Sequence, residues 1–96
     1  MAPLAAQADP RGGAALAQQG GAGIPACIAC HGARGEGLAA AGFPRLAGQP
    51  QAYLLKQLQD FSTGKRKNDQ MEPIARALSA PQKSDAADYY ASLPPR

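Results

Sequence analysis

The sequence has no tryptophan, no valine, one threonine and only two phenylalanines. Valine, threonine and the aromatics are the residues that suit a pleated, half-buried strand. Their scarcity excludes an architecture built on a sheet. It also leaves few bulky side chains for a core. The chain is 45% hydrophobic, but about half of that content is alanine, and hydrophobic stabilisation scales with the apolar area removed from water. A chain of 96 residues fits one small domain whose core is marginal. The protein part alone makes a thin core, which a large apolar cofactor would thicken.

Other absences narrow the function. No apolar run approaches the roughly 18 residues that a membrane span needs. Residues 1–10 have no basic start and no long apolar stretch, so no export signal is expected in this chain. The formal charge of +3 at pH 7 favours acidic surfaces only mildly and is too weak to imply nucleic acid. With two cysteines and one histidine, the Cys and His residues cannot complete a four-ligand zinc site.

What the sequence does contain is helix-forming. Alanine leads the helix scale, with Leu, Gln, Lys and Arg behind it. We expect an all-α fold of about four short helices joined by long connections, which hold the eleven glycines and nine prolines. Residues 1–8 read as a loose tail and 9–96 as the domain. Asp9-Pro10 supplies a cap and a first-turn proline for a short helix that Gly20 and Gly21 end. Residues 32–49, rich in Gly and Ala around Pro44, read as irregular backbone, and long ordered loops usually have a functional task. In 50–63, Leu54, Leu58 and Phe61 recur at helical spacing beside Tyr53 and Gln57, and Gly64 stops the helix. A charged loop over 65–70 precedes a short helix over 72–80, with Ile74, Ala75 and Leu78 on one side. The last helix, 81–93, carries Ala86, Tyr89, Tyr90 and Leu93 on one stripe.

The chemistry lies in Cys27-Ile28-Ala29-Cys30-His31. A C-x-x-C-H run is the attachment signature of c-type haem. Two thiols add across the two haem vinyl groups as thioethers, and the next residue then lies under the iron, where an imidazole can ligate it. A thioredoxin-like dithiol would need a βαβ context, which this composition does not supply. A Cys27–Cys30 disulfide would close a tiny loop and stabilise little. The single histidine excludes a bis-histidine site within the chain. The thioethers left for the second axial position are Met1, at a terminus, and Met71, placed by the pattern in a loop that can close over the other haem face. Methionine also commonly fills core gaps, so a packing role for Met71 is the alternative.

With these residues the chain resembles the class I cytochromes c, and more narrowly the bacterial c4 and short-chain c553 group. The resemblance runs over about 9–93. It rests on Pro25-Ala26-Cys27, Cys30-His31-Gly32, Gly35-Glu36-Gly37, Phe43-Pro44-Arg45-Leu46-Ala47-Gly48-Gln49, then Tyr53-Leu54, Gln57-Leu58 and Phe61, followed by Gly64, Arg66, Met71 and Tyr89-Tyr90. It implies one haem c bonded through Cys27 and Cys30, with His31 and Met71 as axial ligands. It implies that the Pro44 carbonyl accepts a hydrogen bond from the free ring nitrogen of His31, which would fix its tautomer. It implies that Arg45, Tyr53 and Arg66 reach haem propionates or line the pocket, that Asn68 steadies the Met71 loop, and that Gly13 and Ala17 meet Tyr90 where the terminal helices cross.

The function so implied is an electron carrier rather than an enzyme. Two strong ligands leave no open iron position, and the protein supplies burial and one exposed haem edge, with 38–42 part of the surrounding surface. The expected partners are redox proteins: a reductase or dehydrogenase as donor, an oxidase or reductase as acceptor. The expected location is the periplasm. Two other readings are an electron-transfer domain or subunit of a larger redox enzyme, and an open-site gas-binding or peroxidase-like haem protein. The latter requires that Met71 not ligate, and the chain offers no distal histidine.

Overall fold

The computed structural model describes residues 10–21 and 23–95. The expected tail over 1–8, with Met1, and the capping Asp9 lie outside the described residues. In chain order the elements are α1 (Pro10–Gln19), α2 (Ile28–His31), a 3-10 turn (Ala39–Ala41), α3 (Gln51–Thr63), α4 (Met71–Ala77) and α5 (Ala80–Ser92). The all-α expectation holds: among the described residues, extended pairing is limited to the isolated bridges Gly21–Ile24 and Leu38–Phe43. Among the described residues there are five α-helices rather than about four, because the C-x-x-C-H run itself winds into a helical turn.

The helix ends follow local chemistry. Gly64, at φ 81°, ends α3 and returns its N–H to the Phe61 carbonyl, a left-handed cap that glycine adopts without strain. Ser79 starts α5 with a reciprocal box. Its hydroxyl accepts from Gln82 N–H at 3.1 Å, and the Gln82 side chain accepts from Ser79 N–H at 2.8 Å. That box is why α4 stops at Ala77 instead of running on to residue 80. At its other end, α4 begins on Met71, one residue before the expected start. Met71 therefore stands in the first turn of a helix and not in a loop. The reason is Asn68, whose side-chain oxygen accepts from Gln70 N–H at 3.0 Å and Met71 N–H at 2.9 Å, satisfying donors that a helix start leaves orphaned.

α1 packs along α5, and α3 packs against both α4 and α5. The α1–α5 contact depends on Gly13. A Cβ there would lie 2.1 Å from the Asp85 carbonyl oxygen and 2.6 Å from Tyr89 Cβ. Asp85 and Tyr89 are thus the nearest neighbours of Gly13, and Ala17, one turn on, shares a buried cluster with Tyr90, Leu54 and Ala87. We expect Gly13→Ala to destabilise the isolated protein by about 2 kcal/mol or more. The added methyl gains a little helix propensity, but it must push two backbones apart. Thermal unfolding by circular dichroism should show a fall of roughly 10 °C in Tm.

The core is thin in the way the composition implied. Ala17, Ala47 and Ala75 are fully buried, while no large side chain among the described residues is. Leu54, Leu58, Phe61, Ile74 and Leu78 gather instead around a cavity of about 270 Å³.

Candidate functional site

The cavity is built from three directions: the α2 turn with the segment after it, the inner face of α3, and the start of α4 with one face of α5. The α2 turn is closed by His31 N–H to the Cys27 carbonyl at 3.0 Å and Gly32 N–H to the Ile28 carbonyl at 3.1 Å. Residues three and four apart share a helix face, so Cys27, Cys30 and His31 all line the cavity. Both cysteines are free, Cys27 half-buried and Cys30 exposed. Burial pushes the Cys27 thiol pKa up, with the Tyr90 hydroxyl opposing the shift.

His31 is buried. Its Nδ1 lies 2.9 Å from the Pro44 carbonyl oxygen. A carbonyl can only accept, so Nδ1 carries the hydrogen, and this fixes the tautomer that leaves Nε2 as the ligating nitrogen. Phe43 stands edge-on to the imidazole, centroids 6.1 Å apart. The strap that brings Pro44 back over His31 is tied down at several points. Leu38 N–H and Phe43 N–H bond to each other's carbonyls at 2.8 and 3.1 Å, Gly37 N–H reaches the His31 carbonyl at 2.7 Å, and the Gly35 carbonyl accepts from Leu46 and Ala47. Gly37, at φ 78°, allows the close approach: a Cβ there would lie 2.7 Å from Phe43 O and Arg45 N. Glu36 closes the turn after His31 by accepting from Arg34 N–H at 2.9 Å, and backbone N–H groups hold its carboxyl below the usual range.

Met71 lines the wall supplied by α4 and is half-buried. The Asn68 cap is itself held, since Asn68 N–H donates to the Glu72 carboxylate at 3.0 Å and Glu72 pairs with Arg76 at 3.1 Å. Arg66 bonds the Gln57 side chain and lies over the Phe61 ring, 4.7 Å from its centroid. Arg45 and Tyr53 line the cavity from exposed positions, Tyr53 at 50% exposure. All nine residues singled out from the sequence therefore border one space: Cys27, Cys30, His31, Pro44, Arg45, Tyr53, Arg66, Asn68 and Met71.

Two features noted in the sequence as helix stripes were not read there as part of the site. The Leu54–Leu58–Phe61 stripe of α3 faces the cavity as well as the core, a distinction that periodicity cannot make. Tyr90 also reaches the cavity, and its buried hydroxyl has no partner in hydrogen-bond geometry.

The donor set suits haem c. An imidazole and two thiols on one helical turn, with a thioether from α4, border an apolar space, with two arginines on its lining. The Cytochrome c family model matches residues 11–92. The chain is 46% identical over 93 residues to a thiosulfate dehydrogenase electron acceptor from Stutzerimonas stutzeri, covering 95% of this chain and 43% of that one. The cytochrome c4 structure from Acidithiobacillus ferrooxidans superposes with a TM-score of 0.84 at 42% identity, over 91% of this chain and 51% of that one. A thiosulfate dehydrogenase (TsdBA) from Marichromatium purpuratum superposes with a TM-score of 0.87 at 40% identity, over 91% of this chain and 19% of that one. The chain thus spans about half the length of these relatives or less. Motif, fold and comparisons converge: the chain belongs to the cytochrome c family, electron-transfer proteins that carry covalently bound haem c.

Proposed function

We propose that residues 9–96 form one domain holding a single haem, bonded through Cys27 and Cys30, ligated by His31 and Met71, and passing single electrons between redox proteins. The observation that carries this reading is the α2 turn. It presents both thiols and the buried imidazole to one cavity, while Pro44 takes the Nδ1 hydrogen and leaves Nε2 to bind. When bound, the haem supplies the Fe(II)/Fe(III) couple. The chain does the rest. Pro44 orients His31 and strengthens it as a donor. Asn68 sets the backbone from which Met71 extends, and the faces of α3, α4 and α5 keep water away. Arg45, Tyr53 and Arg66 would hold the haem propionates or line the pocket beside them, since guanidinium groups suit carboxylates.

The partners are a reductase or dehydrogenase donor and an oxidase or reductase acceptor, in the bacterial periplasm. No helix among the described residues is long and apolar enough to cross a membrane. A second reading, an electron-transfer domain or subunit of a larger redox enzyme, is favoured by the relatives: one is named for accepting electrons from thiosulfate dehydrogenase, and the chain covers less than half of it.

Attachment is tested by extraction and mass. The purified protein should keep its haem through acid-acetone treatment and exceed its polypeptide mass by one haem. Cys30→Ala should leave a single thioether. Haem that extracts freely from the wild type would rule out the covalent site.

A further inference from the structure

Tyr90 is 3% exposed, and its position is over-determined. The Gly48 N–H donates to its carbonyl at 2.9 Å. Tyr89 stands edge-on to the ring at 5.0 Å. Gly35, at φ 69°, lies so close that a Cβ there would sit 2.8 Å from the ring carbons. The ring cannot swing to water, yet its hydroxyl reaches no acceptor in hydrogen-bond geometry. A buried hydroxyl left in this way is costly, and such an orphan asks for an acceptor that the cavity provides. Cys27 packs against the cluster that contains Tyr90 and lines the same cavity. The two side chains also interact electrostatically, with burial and then the Cys27 thiol raising the Tyr90 hydroxyl well above its ordinary pKa.

We propose that the Tyr90 hydroxyl is a positioning donor for the Cys27 sulfur, giving its hydrogen to the thioether sulfur in the haem-loaded protein and so fixing the Cys27 side chain in the rotamer that attachment requires. The inference rests on the reading of Cys27 as an attachment residue. A free thiol can donate or accept weakly, whereas a thioether sulfur can only accept. Attachment therefore leaves Tyr90 as the donor and the sulfur as the acceptor, and the orphan is satisfied.

The experiment uses the haem-loaded wild type and Tyr90→Phe, which keeps the ring and its packing on Gly35. Peptide mapping by mass first asks whether Cys27 carries haem in the wild type. If it does not, the attachment reading fails and this inference fails with it. Where Cys27 is linked, resonance Raman spectra are recorded on the wild type unfolded and refolded in light and in heavy water, so that the buried hydroxyl exchanges. The carbon–sulfur stretch should shift with the isotope in the wild type, a result that needs no variant. In Tyr90→Phe that isotope shift should be lost, and a larger share of the haem should be singly linked through Cys30. No isotope shift in the wild type, or the same shift in Tyr90→Phe, would overturn the proposal with Cys27 attachment intact.

Discussion

Replacing Met71 by alanine is expected to abolish the weak sulfur-to-iron charge-transfer band at the red end of the ferric spectrum, to open the ferrous iron to carbon monoxide, and to lower the reduction potential. Among the described residues, Met71 is the one thioether on the cavity. Its backbone N–H is held by the Asn68 side chain, Asn68 N–H donates in turn to the Glu72 carboxylate, and Glu72 pairs with Arg76. If it ligates as proposed, the sulfur would extend from a capped helix start, and little ordering entropy would be lost on binding. A thioether is a soft donor that favours the ferrous state, so its loss should cost on the order of 100–200 mV, a part of the ~0.8 V range that axial ligands span. Spectra of both oxidation states, with and without carbon monoxide, and a redox titration read all three effects. A wild-type protein that already lacks the band and binds carbon monoxide quickly has an open iron. The carrier assignment would then give way to the gas-binding or peroxidase-like reading.

The haem-free chain is expected to be largely unfolded. The inward faces of Leu54, Leu58, Phe61, Ile74 and Leu78 border the cavity, so without the cofactor they lose the packing partners that a haem would supply. Forfeiting even ~1 kcal/mol of packing at each of five such side chains amounts to roughly 5 kcal/mol, the lower end of a small domain's whole stability. The fully buried alanines cannot make up the difference, since each removes little area from water. Cys27→Ala combined with Cys30→Ala, produced without haem, should show weak helical signal by circular dichroism and no cooperative thermal transition. The haem-loaded wild type should show strong helicity and a single sharp transition. A native-like cooperative transition in the haem-free chain would mean that the protein core suffices by itself.

The residues with the largest expected effects were legible in the sequence because their meaning is local. C-x-x-C-H names two attachment thiols and an adjacent imidazole through its spacing alone, while the helical turn that carries them came from the structure. A single histidine removes the bis-histidine alternative by counting, and the stripe on 50–63 announces a helix through its spacing alone. The group placed around the cavity, from Pro44 to Asn68, was legible through resemblance, as residues of known type in a known order. Neither route could say how they meet.

The tertiary structure decided what depends on distant segments approaching one another. Met71 was expected in a loop and stands in the first turn of α4, because a cap made by Asn68 outweighs the charged, loop-like composition around it. That Asp85 and Tyr89 press nearest on Gly13 follows from the crossing of α1 and α5, which sets which turns face each other, and sequence spacing on either helix carries no such information. The α3 stripe was readable as apolar, but only the fold shows that part of it faces a cavity. Least accessible was the Tyr90 hydroxyl beside Cys27. Its consequence comes from burial without a partner, a property of the space around an atom that no linear pattern records.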